Sequence, residues 1–132
     1  MFQVIARYRN GQVLKGLTGD FAPSRPVFHV SPSGCCPGTP AVPVPLNELK
    51  GVFFVRHLDG NPAHAKRNNF DPTDLTPGRQ IRVVFQDGEV LQGHAPYYHP
   101  EHRGFFVMPA DQRSNNIRCF VLRAATAEIA LL

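Results

Sequence analysis

Short runs of alternating residues, separated by glycine and proline, recur along the whole chain. In the first run Val4, Ala6 and Tyr8 alternate with positions that include Arg7 and Arg9. A period of two places successive side chains on opposite faces of a β-strand. Thirteen prolines and eleven glycines interrupt the sequence before it reaches the long unbroken windows that helices need. The pattern predicts an all-β chain.

The two halves of the chain repeat one pattern at an offset of 77 residues. Residues 4–32 align with residues 81–109 without a gap. The identical pairs are Gly11/Gly88, Val13/Val90, Leu14/Leu91, Gly16/Gly93, Pro23/Pro100, Phe28/Phe105, Val30/Val107 and Pro32/Pro109. Self-similarity at a fixed spacing is the mark of a repeated structural unit. We therefore predict a tandem duplication of one small β-barrel unit, arranged with pseudo-two-fold symmetry.

Each copy predicts a hairpin followed by a third strand. The dipeptides Asn10-Gly11 and Asp87-Gly88 are typical of type I′ turns, which need a positive φ at both central residues. A third strand follows in each copy and is stopped by proline. The hairpin is therefore the best-defined element of the predicted unit.

The later part of each copy predicts a bend, a loop and a last apolar run. Gly16 and Gly93 interrupt the return strands and suit a sharp bend around a narrow barrel. The apolar runs at 52–55 and 119–122 are 67 residues apart, which predicts about ten extra residues in the first copy. We assign these residues to a proline-rich loop at 33–45.

These features divide the chain into a first unit at 1–58, an irregular linker at 59–78 and a second unit at 79–132. Residues 124–132 form either a last strand or a short helix, and their composition favours the helix. Fourteen apolar positions are predicted to be mostly buried. They are Val4, Tyr8, Val13, Phe28, Val30, Phe53, Val55, Ile81, Val83, Phe85, Phe105, Val107, Phe120 and Leu122.

Composition narrows the class of protein. Apolar residues make up 42% and charged residues 18% of the chain, which argues against global disorder. No apolar run reaches the roughly 20 residues of a membrane-spanning helix. The start of the sequence does not resemble a secretion signal, and three cysteines cannot all pair within one chain. We expect a cytoplasmic protein that does not bind a membrane.

The residue pattern resembles the Sm-like version of the SH3-type barrel. In the first copy Asn10-Gly11-x-Val13-Leu14-x-Gly16 with Phe21 resembles the first Sm motif. The segment that resembles the second motif is Leu46-x-x-Leu49-Lys50-Gly51-Val52-Phe53-Phe54-Val55. The resemblance covers about 45 residues per copy, and it implies an SH3-like barrel and an alternative function in binding single-stranded RNA.

The whole chain is more similar to an uncharacterised bacterial family in which this tandem unit occurs, sometimes beside PilZ or other signalling domains. The segments that carry the resemblance are Phe53-Phe54-Val55, Asp59-Gly60-Asn61-Pro62, Pro77-Gly78-Arg79, Gly104-Phe105-Phe106 and Pro109-Ala110-Asp111. This family implies a domain of unknown function. It adds no activity to the interpretation.

His94, His99 and His102 form the densest group of potential metal ligands. Histidines on a loop at such spacing are able to bind zinc. No Cys-x-x-Cys pair accompanies them, and a polar aromatic loop is the simpler interpretation. The vicinal pair Cys35-Cys36 also has two interpretations: it is a thiol switch, or it is two incidental loop cysteines. We expect no metal and no cofactor.

A basic and aromatic set of residues is the candidate binding surface. A surface of this kind binds phosphates through its arginines and stacks bases on its aromatic rings. A solvated basic face is the simpler interpretation of the same positions, since the net charge is only +4. The candidate binding residues are Arg7, Arg9, Phe21, Arg82, Tyr97 and Tyr98.

Motifs of nucleophilic, phosphate-binding and zinc-protease sites are absent from the sequence. The sequence therefore favours a non-catalytic regulatory or protein-interaction module. It is expected to bind a protein partner, or a second copy of itself, through exposed strand edges. Single-stranded nucleic acid is the alternative partner.

Overall fold

The computed structural model describes residues 1–34, 38–58, 78–111 and 115–132, which form ten strands, two 3-10 turns and no α-helix. The first five strands are β1 (Phe2–Tyr8), β2 (Val13–Thr18), β3 (Val27–Pro32), β4 (Val42–Pro45) and β5 (Leu49–Val55). The second five are β6 (Arg79–Phe85), β7 (Val90–Ala95), β8 (Gly104–Pro109), β9 (Asn116–Leu122) and β10 (Thr126–Leu131). The 3-10 turns are Leu46–Glu48 and Arg123–Ala125. The all-β prediction is confirmed.

All ten strands belong to one open antiparallel sheet. Its order is β10-β6-β7-β8-β9-β5-β1-β2-β3-β4, so β10 and β4 are the two edges. The prediction of two separate closed barrels is not confirmed. Strand β5 pairs with β1 on one side and with β9 of the second half on the other, so the two halves share one sheet. Among the described strands, the ladder between β5 and β9 has no counterpart between β10 and β4, so the strand pairing does not show the predicted pseudo-two-fold relation.

The two hairpin turns lie where the sequence predicts them, but they are not type I′ turns. In the first, Gly11 N donates to Tyr8 O at 3.1 Å, and Tyr8 N donates to Gln12 O at 2.9 Å. Gly11 and Gly88 both have φ of 93°, and no described non-glycine residue has a positive φ. This is the three-residue loop in which a type I turn is followed by a left-handed glycine. Asn10 Oδ1 then accepts a hydrogen bond from Gln12 N at 2.9 Å.

The elements of the two halves follow each other at a constant spacing. The bounds of β1, β2 and β3 recur 77 residues later as the bounds of β6, β7 and β8. The first 3-10 turn recurs at the same spacing, and β4 ends 77 residues before β9 ends. The ten extra residues predicted in the first copy are therefore absent. The runs at 52–55 and 119–122 look alike because both strands are buried on two faces, and they are not counterparts.

Two hydrophobic clusters lie against the opposite faces of the central strands. From β5, Phe53 and Val55 join the cluster that contains Ile81, whereas Phe54 joins the cluster that contains Phe28. Strand β9 divides its side chains between the same two clusters. Strands covered on both faces are apolar at every position rather than at alternate positions. Each half of the chain therefore completes the core of the other half.

Most of the predicted core is confirmed. Twelve of the fourteen positions are buried, whereas Tyr8 is half-buried and Val13 is 45% exposed. Val13 opens β2 next to the hairpin turn, where the partner position is the exposed Arg7. This end of β2 lies close to solvent, and the Val13 side chain is therefore exposed.

Gly16 and Gly93 mark close crossings of neighbouring strands. A Cβ atom on Gly16 would lie 2.1 Å from Ser31 O, and one on Gly93 would lie 2.0 Å from Met108 O. Both positions begin the short ladders that join the hairpin to the third strand. The sequence predicts a sharp bend around a narrow barrel at these glycines, whereas the constraint that the structure shows is the close approach of the neighbouring strand.

The C-terminal segment is a strand rather than the helix that its composition favours. β10 pairs antiparallel with β6, and a bulge interrupts the ladder between Thr126 and Glu128. The backbone ladder with β6 outweighs the helical propensity of alanine and leucine. Most of the predicted linker, at 59–77, lies outside the described residues, as does the Cys35-Cys36 pair.

Candidate functional site

The two halves of the chain are joined by the antiparallel pairing of β5 with β9. The register pairs Val52 with Phe120 and Phe54 with Arg118. Arg56 N donates to Asn115 O at 2.9 Å, so alternate residues of β5 direct their backbone groups toward β9. The junction is therefore a continuous backbone ladder that joins the first five strands to the second five.

A partly buried lysine reinforces this junction. Lys50 Nζ lies 2.7 Å from Asp87 Oδ2 and 2.7 Å from Glu89 Oε1, and its side chain is only 12% exposed. The same ammonium lies 4.6 Å from the centroid of the Phe85 ring. The hydrogen bond from Lys50 lowers the pKa of the Asp87 carboxyl. The lysine thus fastens β5 to the hairpin turn between β6 and β7.

An arginine occupies the other side of the junction among aromatic rings. The Arg118 guanidinium carbon lies 4.4 Å from the Phe54 centroid, 4.7 Å from Phe106 and 5.5 Å from Phe2. Burial lowers the pKa of Arg118. Sequence reasoning did not select Lys50 or Arg118. The signal that marks both is a single charge inside an otherwise apolar strand.

The edge at β4 is closed by proline. Leu46 N donates to Pro26 O at 2.9 Å, so Val42 and Val44 direct their backbone groups toward β3. The residues with backbone groups directed away from the sheet are then Pro43 and Pro45. Proline has no N–H group, so this edge presents carbonyl acceptors and no donors at these two positions. A second strand is unable to complete a ladder there.

The edge at β10 presents both kinds of backbone group. Leu132 N donates to Gln80 O at 2.9 Å, so the even-numbered residues of β10 face β6. Ile129 and Leu131 therefore direct their N–H and C=O groups away from the sheet, on the side where no described strand pairs. Leu131 is 38% exposed. This edge has the composition and the backbone groups that strand addition requires.

Strand β10 differs from β5 in the side chains that would enter another core. At the 77-residue spacing, Phe53 of β5 corresponds to Ala130 of β10 and Gly51 corresponds to Glu128. Phe53 is buried in the cluster of the other half, whereas Ala130 is small and Glu128 is exposed. A strand added at β10 would therefore be held by its backbone ladder more than by a shared core.

The predicted binding arginines are dispersed. Arg7 is exposed on β1, and its guanidinium lies 5.3 Å from the Phe53 centroid. Arg9 donates from Nη2 to Asn47 O at 2.7 Å. Arg82 lies on β6, which is separated from β1 by four strands in the sheet. The sheet order therefore does not place Arg82 beside the other two arginines.

The predicted aromatic residues are also divided. Phe21 packs edge-on against Phe28 at 5.1 Å and belongs to the cluster of the first five strands. Tyr98 packs edge-on against Phe105 at 5.0 Å and belongs to the other cluster. Tyr97 is 86% exposed. Of the three rings, Tyr97 is therefore the one that is largely accessible for stacking.

The three histidines do not form one site. His94 is buried in β7, whereas the rings of His99 and His102 lie 4.7 Å apart in the loop before β8. In the described part of the chain, no group of three or more His, Cys, Asp or Glu side chains is placed to hold a metal ion. Arg123 donates to His99 O and to His102 O, each at 3.0 Å. These bonds fix the loop by its backbone.

Asp20 fastens the loop after β2 to β3. Its Oδ1 accepts hydrogen bonds from His29 N at 2.9 Å and from Thr18 Oγ1 at 3.2 Å, and its Oδ2 lies 2.7 Å from His29 Nδ1. The bond from the His29 backbone, followed by the bond from the His29 ring, lowers the pKa of Asp20. The carboxylate is thus a structural acceptor in this loop.

Comparison with known proteins places the chain by its family alone. No helix among the described residues has the length and apolar character needed to cross a membrane. Neither the curated proteins nor the solved structures give a match. The model of a family of unknown function, DUF6982, matches residues 2–132, and the chain therefore belongs to that family.

Proposed function

We propose that this chain is a non-catalytic interaction module that binds protein through the free edge of β10. The observation that carries the proposal is the difference between the two edges of the sheet. Prolines remove the donors from β4, whereas Ile129 and Leu131 of β10 keep both backbone groups directed outward. Unprotected edges of this kind accept an added strand. Of the two edges of the described sheet, we therefore assign binding to β10.

The proposal includes an origin for the fold. A tandem duplication of one Sm-like or SH3-like unit accounts for the constant 77-residue spacing of the elements. Each set of five strands places its fifth strand beside its first, which is consistent with a small barrel-like unit. We assign the protein to the bacterial cytoplasm, since the resemblance is to a bacterial family and the number of cysteines is odd.

Protein is a better partner for this surface than single-stranded RNA. A phosphate-and-stacking surface needs arginines and rings on one continuous face. Arg9 already binds a backbone carbonyl, and Phe21 and Tyr98 belong to different clusters. Binding at a strand edge does not require clustered charged side chains, because the hydrogen-bonding groups belong to the backbone.

The experiment uses a peptide with the sequence of residues 116–122 as a defined strand. In the chain this segment pairs with β5, and β5 corresponds to β10 at the 77-residue spacing. Amide hydrogen exchange of the full chain is followed by NMR with and without the peptide, at a chain concentration below that at which the chain associates with itself. We expect exchange at Ile129 and Leu131 to slow on peptide addition, while Ala130 is unchanged because it already faces β6.

Two variants of one residue separate the backbone from the side chain. Leu131→Pro removes the outward N–H, whereas Leu131→Ala keeps the N–H and shortens the side chain. We expect the proline variant to lose the response to the peptide and the alanine variant to keep it. Equal responses in the two variants, or protection confined to other strands, would refute strand addition at β10.

A further inference from the structure

Self-association of this chain has two conceivable edge arrangements, and the structure favours one of them. In a head-to-tail arrangement β10 of one copy would pair with β4 of the next copy. That ladder would lack the N–H groups of Pro43 and Pro45, so the facing carbonyls of β10 would stay unpaired. Head-to-tail assembly through the two edges is therefore disfavoured.

A symmetric arrangement has no such mismatch. When two β10 strands run antiparallel about Ala130, Ile129 of one copy faces Leu131 of the second copy, and the reverse pair is identical. Each of these residues offers one N–H and one C=O, so four hydrogen bonds form and every outward group of the two residues is used. The bulge between Thr126 and Glu128 confines the regular edge to this segment.

We propose, on the basis of the function assigned above, that the occupant of the β10 edge is β10 of a second copy of this chain. A two-fold interface of like edges closes at two subunits. With β4 blocked by proline, no second edge remains among the described strands from which the assembly would grow. The dimer is then a continuous sheet of twenty strands across the two-fold axis.

Side chains around β10 suit this arrangement. Ile129 already packs against the core cluster, and Leu131 lies on the same face of the strand, so pairing covers a leucine that is 38% exposed. Glu128 falls opposite Leu132 of the second copy rather than opposite the second Glu128, so like charges do not meet. The two Ala130 side chains face each other across the axis and leave room for close approach.

Sedimentation equilibrium of the full chain over a range of concentrations tests the dimer. We expect the mass to rise from 14.6 kDa toward twice that value and to stop there. Leu131→Pro removes two hydrogen bonds per dimer, which should raise the dissociation constant about tenfold or more. Far-ultraviolet circular dichroism shows whether this variant is folded.

A second pair of variants keeps the test decisive if Leu131→Pro fails to fold. Ala130→Lys places like charges face to face across the axis and should also abolish the dimer. Ala127→Lys adds the same charge to the same strand outside the paired segment and should leave the dimer intact.

The outcomes also separate this proposal from the proposed function. A wild-type chain that stays monomeric at all concentrations, yet responds to the peptide at Ile129 and Leu131, overturns the dimer and leaves the binding edge in place. A dimer that is insensitive to both Leu131→Pro and Ala130→Lys uses another surface and overturns the proposal. Masses above the dimer would show that β4 is not closed and would overturn it as well.

Discussion

Phe53→Ala is the most direct test of the shared core. Phe53 belongs to β5 in the first half of the chain, yet the residue is 4% exposed within a cluster that includes residues of β6, β7 and β8. Truncation of a buried phenylalanine costs about 3–5 kcal/mol. For a domain of this size that cost corresponds to a fall in Tm of roughly 10–20 °C. Thermal unfolding followed by circular dichroism and calorimetry measures the change.

Phe54→Ala is the matched control for this prediction. Phe54 is the next residue of the same strand, is 2% exposed and belongs to the opposite cluster. If the two clusters unfold together, both variants shift one transition by similar amounts. Two separate transitions, of which each variant moves only one, would refute the shared core. No change in Phe53→Ala would show that β5 is peripheral.

Three further variants test other parts of the structure. Gly93→Ala should destabilise the chain by at least about 2 kcal/mol in urea unfolding, because a Cβ would lie 2.0 Å from Met108 O. Asp20→Asn should lower the free energy of unfolding by no more than about 1 kcal/mol at neutral pH. Since the folded pKa of Asp20 is lowered, this difference should vanish as the pH falls through that pKa, which acid titration of both proteins would show. The double variant Pro43→Val, Pro45→Thr restores two outward N–H groups at β4 and should form assemblies larger than the dimer in light scattering, whereas an unchanged mass would contradict the role assigned to the prolines.

Local features of the fold were predictable from the sequence. The alternation in β1 and β6 and the Asn-Gly and Asp-Gly pairs located both hairpins, because strand faces and tight turns depend on neighbouring residues. The type I′ assignment was wrong because the loop has three residues. With a negative φ, Asn10 is able to accept a hydrogen bond from Gln12 N through its side chain.

The neighbours of each strand were not predictable in the same way. Periodicity states which face of a strand is buried, and it does not state which strand lies alongside. The composition of the apolar runs in β5 and β9 predicts that they are counterparts in the two copies, which they are not. They are alike because the two strands adjoin each other and are covered on both faces. The same limit explains why the candidate arginines, all on outward positions in the pattern, do not meet on one surface.

The prolines at positions 43 and 45 show why composition alone does not predict the structure of the segment after β3. A Pro-rich stretch favours a loop, yet Val42–Pro45 is a strand. A strand that contains two prolines is possible here because the backbone groups of Val44 are directed toward β3, whereas those of Pro43 and Pro45 are directed away from it. Proline is excluded from a ladder only where its N–H would be needed. In β4 the prolines therefore permit the strand and close the edge, and the proposed binding function then falls to β10 alone.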